Sequence, residues 1–185
     1  MRIIAGEKKG LRLNQPKDES IRPTSDKIRG AIYNTIQMDV MGGNCFVDLF
    51  GGSGAMGIEA LSRGVKKAIF FDSSQDSITL IKSNIKKAAF ESRSIIKLTT
   101  AQLGIEWMAQ NQIQADFIFM DPPYHLGEIL VPLAEQIIQK KIIKSSGIIM
   151  MEHEKSVIMP INVGDFSKVK EKNYGLTTIT YYGRE

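Results

Sequence analysis

The sequence predicts a doubly wound α/β sheet of seven mostly parallel strands, closed by an antiparallel hairpin and preceded by a short β-hairpin extension. Apolar runs recur at 45–49, 68–71, 95–98, 117–120 and 147–151. They are nearly continuous rather than alternating, as in parallel strands covered on both faces. Helical stretches separate them at 55–63, 74–89, 102–110 and 128–140. A glycine-rich turn follows the first run, where open α/β sheets bind their ligands.

In chain order, residues 1–24 read as an extension and 25–185 as the main domain. The runs 2–5 and 11–13, joined by a polar turn bounded by glycines, predict the β-hairpin. Pro23 blocks a helix before it, and Thr24 or Ser25 caps one running to about residue 37, with Ile28, Ala31, Ile32, Thr35 and Ile36 as its apolar stripe. After the alternating region, runs at 167–172 and 176–182 flank Asn173-Tyr174-Gly175 and predict the closing hairpin.

A chain of 185 residues fits one domain, and its 43% hydrophobic and 24% charged residues match an ordinary globular protein. No apolar stretch is long enough for a bilayer span. The first ten residues lack the apolar core of a signal peptide, so a cytoplasmic protein is expected. The single cysteine, Cys45, excludes an internal disulfide and a cysteine-rich metal cage, and it opens an apolar run as a buried small hydrophobe. The net charge of +4 is concentrated: residues 1–35 hold eight Lys or Arg against four Asp or Glu, which equals the whole excess. A basic segment ahead of a neutral body suits either a polyanion or a solvated face.

The glycine-rich turn reads Asp48-Leu49-Phe50-Gly51-Gly52-Ser53-Gly54-Ala55-Met56-Gly57. Gly52 and Gly54 remove side chains where a ligand must approach the backbone, and Gly57 allows helix and strand to pack closely. Gly52, Gly54 and Gly57 also match the dinucleotide pattern, but Asp48 would repel an arriving pyrophosphate. A carboxylate there suits a ligand with a cationic end, such as S-adenosylmethionine. Asp72 ends the second strand about 20 residues beyond the glycines, placed to accept hydrogen bonds from the ribose hydroxyls of an adenosine cofactor.

Asp121-Pro122-Pro123-Tyr124 follows the fourth apolar run, at the same sheet edge. Two prolines stiffen the backbone and leave nearby carbonyls free. The Asp121 carboxylate, the Pro122 carbonyl and the Tyr124 ring thus form a rigid array suited to an exocyclic base amine. Two acceptors on the amine hydrogens would aim its lone pair along one line, and Tyr124 would stack on a base lifted from its helix or loop.

Together, Asp48–Gly54, Asp72 and Asp121–Tyr124 resemble the class I methyltransferases of nucleobase amines. With Met1-Arg2-Ile3-Ile4-Ala5-Gly6, Arg22-Pro23-Thr24, Asp26-Lys27-Ile28-Arg29 and Glu59-Ala60-Leu61-Ser62-Arg63-Gly64, the chain resembles the RsmD-like family over nearly its whole length. That resemblance implies a Rossmann-like, S-adenosylmethionine-dependent methylation of one guanine N2 in 16S ribosomal RNA, within the small subunit or its assembly intermediate. It implies a cofactor site of Asp48, Phe50, Gly51, Gly52, Gly54, Asp72, Ser73, Thr100, Ala101 and Asp121, with Asp121, Pro122, Pro123 and Tyr124 at the chemistry. It places Arg22 and Thr24 near the pocket and gives RNA contacts to Arg2, Lys8, Lys9, Arg12 and Arg29 as well. The expected protein is a monomer that uses no metal and no membrane. Thr100 departs from the Asp or Asn usual after the third strand, Gly51 from the usual Ala and Asp72 from the usual Glu.

His153, in Met151-Glu152-His153-Glu154, lacks helical His spacing and a cysteine partner and is not read as a metal ligand. His125 reads as an exposed loop residue, and Trp107 as core. Three rivals remain: a DNA adenine-N6 or cytosine-N4 methyltransferase, an NAD(P)-linked oxidoreductase, and a noncatalytic RNA-binding assembly factor. The oxidoreductase leaves Asp121–Tyr124 unexplained.

Overall fold

The computed structural model describes residues 1–16, 26–36 and 43–184, with the backbone alone for 124–126. Five parallel strands, β1 (Cys45–Asp48), β2 (Lys67–Asp72), β3 (Ser94–Leu98), β4 (Ala115–Met120) and β5 (Ile143–Glu154), precede β6 (Asn162–Val163), β7 (Phe166–Tyr174) and β8 (Thr177–Gly183). They form one sheet in the order β3-β2-β1-β4-β5-β8-β7-β6, with β8 antiparallel to both β5 and β7. Among the described residues five α-helices accompany the sheet: α1 (Asp26–Thr35), α2 (Ala55–Ser62), α3 (Gln75–Ala88), α4 (Ala101–Gln110) and α5 (Leu130–Gln139).

Among the described residues the sheet has eight strands rather than the seven expected. The addition is β6, two residues paired with β7 across a tight turn at Gly164-Asp165. A segment that short carries no periodicity, and only its Gly-Asp turn could have announced it.

Both sheet faces are covered, as the continuous apolar runs require. Phe46, Phe117, Phe119 and Met150 pack against Ile32 and Tyr33 of α1 and Ala60 of α2. Val47, Phe71, Ile118 and Met151 meet Ile105 and Met108 of α4 and Leu133 and Ile137 of α5. Alternate residues of one strand thereby enter opposite cores. The buried face of α1 runs through Arg29, Ile32, Tyr33 and Ile36, rotated from the expected stripe. Ala31 and Thr35 are only partly covered. The caps expected at Thr24 or Ser25 lie outside the described residues.

The N-terminal hairpin is narrower than expected, with a single antiparallel bridge between Arg2 and Arg12. Its cross-chain hydrogen bonds include Ile3 N to Leu11 O and Gly10 N to Ile3 O, each 2.9 Å. The ladder does not extend because α2 takes the next donors: Ile4 N and Ala5 N donate to the Glu59 carboxylate at 2.8 and 3.0 Å. Glu7 N donates to Ser62 O at 2.8 Å, and Lys8 N to Ser62 Oγ at 3.0 Å. The two segments lie so close that a Cβ on Gly6 would fall 1.8 Å from Ser62 O. With φ at +83°, that position takes only glycine.

Glu59, fully buried, also receives Arg63 Nε at 2.8 Å and lies 3.7 Å from Arg29 Nε. Arg29 is itself fully buried, pairs with Asp26 at 2.9 Å and donates to Arg2 O. One buried carboxylate therefore joins the N-terminal segment, α1 and α2. Removing it would take a buried anion from beside Arg29 and Arg63 and leave the Ile4 and Ala5 N–H groups without their acceptor, which is destabilising. The RNA contact expected of Arg29 is corrected by this burial: its guanidinium has no path to a phosphate.

Candidate active site

The strand order reverses between β1 and β4, and the crevice outside the carboxyl ends of the strands opens at that switch point. A cleft of about 1600 Å³ occupies it. That exceeds the ~300–1,000 Å³ of an ordinary small-molecule pocket, leaving room for two ligands side by side. Of the sequence-derived cofactor residues, Asp48, Phe50, Gly51, Gly52, Asp72, Ser73, Thr100, Ala101 and Asp121 all line it, as do Pro122 and Pro123.

The loop after β1 is held by its own backbone. Leu49 N donates to Phe119 O at 3.1 Å and Gly51 N to Phe71 O at 2.9 Å, tying the turn to β4 and β2. Gly54 N donates to Gly51 O at 2.7 Å, and Gly54, with φ at +78°, is the N-cap of α2 without lining the cleft. A Cβ on Gly57 would lie 2.3 Å from the Phe70 ring, so helix and strand meet there at a distance only glycine permits. Asn84, fully buried on α3, donates to Ser53 O at 2.9 Å and Asn14 O at 3.1 Å, and accepts from Asn14 N at 2.7 Å. It locks the glycine loop to residues 14–16, which form part of the cleft wall.

Asp72 binds the loop from the other side. Its Oδ2 accepts from Gly52 N and its Oδ1 from Ser74 N, both at 2.8 Å. Each carboxylate oxygen keeps acceptor capacity for a further donor. Thr100 is the N-cap of α4, its hydroxyl accepting from Leu103 N at 3.3 Å. Its departure from Asp or Asn therefore leaves a helix terminus properly closed.

Asp48 is strongly perturbed in the cleft. Burial pushes its carboxyl up to about 8, and the charges of Asp121 and Asp72 add to the push. Backbone N–H groups of Phe50 and Gly57 pull the other way. Its Oδ1 is buried without a hydrogen-bond partner. A desolvated carboxylate with an idle oxygen, flanked by two more acids, favours a cationic ligand and disfavours a phosphate.

The remaining assignments scatter. Lys9 and Arg12 are exposed on the hairpin, and Lys8, half-buried, holds its ammonium 5.7 Å from the Phe90 ring centre. The Arg2 side chain is 71% exposed, 4.0 Å from Asp26. Arg22 and Thr24 lie outside the described residues, as does the Tyr124 side chain. Sequence reasoning missed Asn84, Glu152 and the β7–β8 turn, whose Tyr174, Gly175, Leu176 and Thr177 also line the cleft. Asn84 had a signal, a polar residue on the buried stripe of Ile78, Ile81, Ile85 and Ala88. Glu152 had one too, an acid ending an apolar run just as Asp48, Asp72 and Asp121 do.

Comparison with known proteins places this geometry in context. The family model described as Conserved hypothetical protein 95 matches residues 1–183. The Bacillus subtilis (strain 168) protein YlbH is 36% identical over 182 residues, covering 98% of each chain. Ribosomal RNA small subunit methyltransferase D of Haemophilus influenzae is 31% identical over 188 residues, covering 98% of this chain and 93% of that one. Among solved structures, Escherichia coli yhhF superposes with a TM-score of 0.86 at 25% identity, covering 100% of this chain and 98% of that one.

Proposed function

The chain belongs to the Conserved hypothetical protein 95 family, and from that premise we propose that it is an S-adenosylmethionine-dependent methyltransferase of ribosomal RNA, acting on the exocyclic N2 of a guanine in 16S RNA. The observation that carries the proposal is that Asp121-Pro122-Pro123 and the Asp48–Gly54 turn share one cleft large enough for cofactor and base. The names of relatives such as ribosomal RNA small subunit methyltransferase D supply the substrate class.

The residues present fit the cofactor. Asp48, with its buried idle oxygen, meets the cationic methionine end, and Asp72 keeps acceptor capacity for the ribose hydroxyls. Ser73, Thr100 and Ala101 line the cleft beyond Asp72, where the adenine would lie. Bound there, S-adenosylmethionine supplies an electrophilic methyl group.

The chain's own residues prepare the nucleophile. The guanine amine is weakly nucleophilic because its lone pair is shared with the ring. The Asp121 carboxylate and the Pro122 carbonyl each accept one amine hydrogen, which draws the lone pair out of the ring and aims it. As the nitrogen gains a bond it becomes acidic, and Asp121 takes the proton it sheds. Pro122 and Pro123 keep this array rigid, so alignment costs little at the moment of reaction. Phosphate contacts from the exposed Lys9 and Arg12 hold the RNA without reading its sequence.

The test replaces Asp121 by Ala. Calorimetric affinity for S-adenosylmethionine should stay within a few-fold, while labelled methyl transfer to undermethylated small subunits should fall by about 10³-fold. Wild-type transfer rates in the variant would overturn the assignment.

A further inference from the structure

A second carboxylate stands beside Asp121 in the cleft, and nothing in the chemistry above uses it. In the β4–β5 pair, Phe119 is level with Met150 and Met120 with Met151, which brings Glu152 level with Asp121. Phe119 and Met150 enter the same core cluster, so the residues two further along belong to that same face. Neighbouring strands lie about 4.8 Å apart, so the backbones at these two positions run side by side just beyond the last registered pair, Met120 and Met151. Glu152 is only 7% exposed, yet it lines the cleft together with Asp121, Pro122 and Thr177.

Resting on the guanine-N2 reading, we propose that Glu152 is the specificity-determining residue for guanine, accepting a hydrogen bond from N1–H of the target base. Guanine carries its N1–H directly beside the 2-amino group. A base whose amine is held by Asp121 therefore turns that N1–H toward the next acceptor along the sheet edge, which is Glu152. Adenine and cytosine carry a lone pair, not a hydrogen, on the ring nitrogen beside their amine. Against Glu152 that lone pair faces a carboxylate oxygen, and the repulsion rejects both bases. A site built to satisfy a substrate N–H discriminates far more strongly than one that merely fits its shape. On this reading Glu152 keeps adenine and cytosine from an Asp-Pro-Pro turn that could otherwise hold their amines.

The test uses the full chain and small subunits reconstituted with synthetic 16S RNA. The methylated guanine, once mapped, is either kept or replaced by 2,6-diaminopurine, which retains the 2-amino group but has an acceptor at N1. The wild type should favour guanine by about 10²-fold or more in kcat/KM. Glu152→Gln, whose amide can donate to that acceptor, should lower guanine kcat/KM at least about tenfold and bring the ratio between the two bases near one. Glu152→Asp keeps the charge and should slow transfer while preserving the preference for guanine. Unchanged affinity for S-adenosylhomocysteine marks both variants as folded. An unaltered guanine preference in Glu152→Gln would overturn the inference alone. Failure of the wild type to label any guanine 2-amino group would overturn the guanine reading and the inference with it.

Discussion

Replacing Asp48 by Asn should make the cofactor-free protein more stable at neutral and alkaline pH, although it damages the cleft. The carboxyl is displaced from 3.8 to about 8, mainly by burial and then by Asp121 and Asp72. Between those values the native state keeps a proton that the unfolded chain has released. Stability contributed by this group is therefore full below the unfolded pKa, falls as pH rises through the window, and levels off above about 8. At about 1.4 kcal/mol per pH unit, the wild type loses roughly 3 kcal/mol between pH 5.5 and 7.5 from Asp48 alone. Asn cannot ionise, so its curve lacks that component, while all other titrating groups are shared. Urea unfolding at intervals of half a pH unit, wild type against Asp48→Asn, reads the difference directly. Saturating S-adenosylmethionine should flatten the wild-type curve, because a cation beside Asp48 restores the ionised form. Parallel curves for the two proteins without cofactor would refute the assignment of a strained acid at this position.

Other consequences follow from the packing around the cleft. Glu59→Ala removes a buried carboxylate shared by Arg29, Arg63 and the Ile4 and Ala5 N–H groups and should cost about 3–5 kcal/mol in urea unfolding, with faster proteolysis of the first 13 residues. Gly57→Ala drives a methyl to 2.3 Å from the Phe70 ring and should cost about 1–3 kcal/mol by the same measurement, with weaker cofactor binding as the loop shifts. The double variant Lys9→Ala, Arg12→Ala should weaken RNA binding and lower the log–log salt slope by about 1.4, at about 0.7 for each phosphate left unneutralised. Its methyl transfer rate at saturating RNA should match the wild type, since neither residue lines the cleft.

The alternation of strand and helix was legible because each apolar run must be covered on both faces, and strand starts and ends fell within a few residues of the expected ones. The long β5 is the exception at its start, four residues earlier than the run at 147 suggested. The site was legible for a related reason: an acid that ends a buried run marks the carboxyl edge of the sheet, where ligands bind. Asp48, Asp72 and Asp121 stand out that way, and Glu152 carries the same mark but reads in the sequence only as part of a rejected metal cluster. What the sequence could not reveal depends on interactions between distant residues. Arg29 reads as one of eight surface cations until Glu59, thirty positions on, draws it into the interior. The hairpin reads as two strands until the same carboxylate claims the N–H groups of Ile4 and Ala5. Thr100 reads only as a departure from the usual Asp or Asn until the start of α4 shows that it also caps a helix.

The most direct measurement of function is nuclease digestion and mass spectrometry of 16S RNA after the purified chain has acted on undermethylated small subunits with labelled S-adenosylmethionine. The proposal predicts label in N2-methylguanosine at one position, absent with Asp121→Ala. Label in N6-methyladenine or N4-methylcytosine of duplex DNA assayed alongside, with none in RNA, would contradict it.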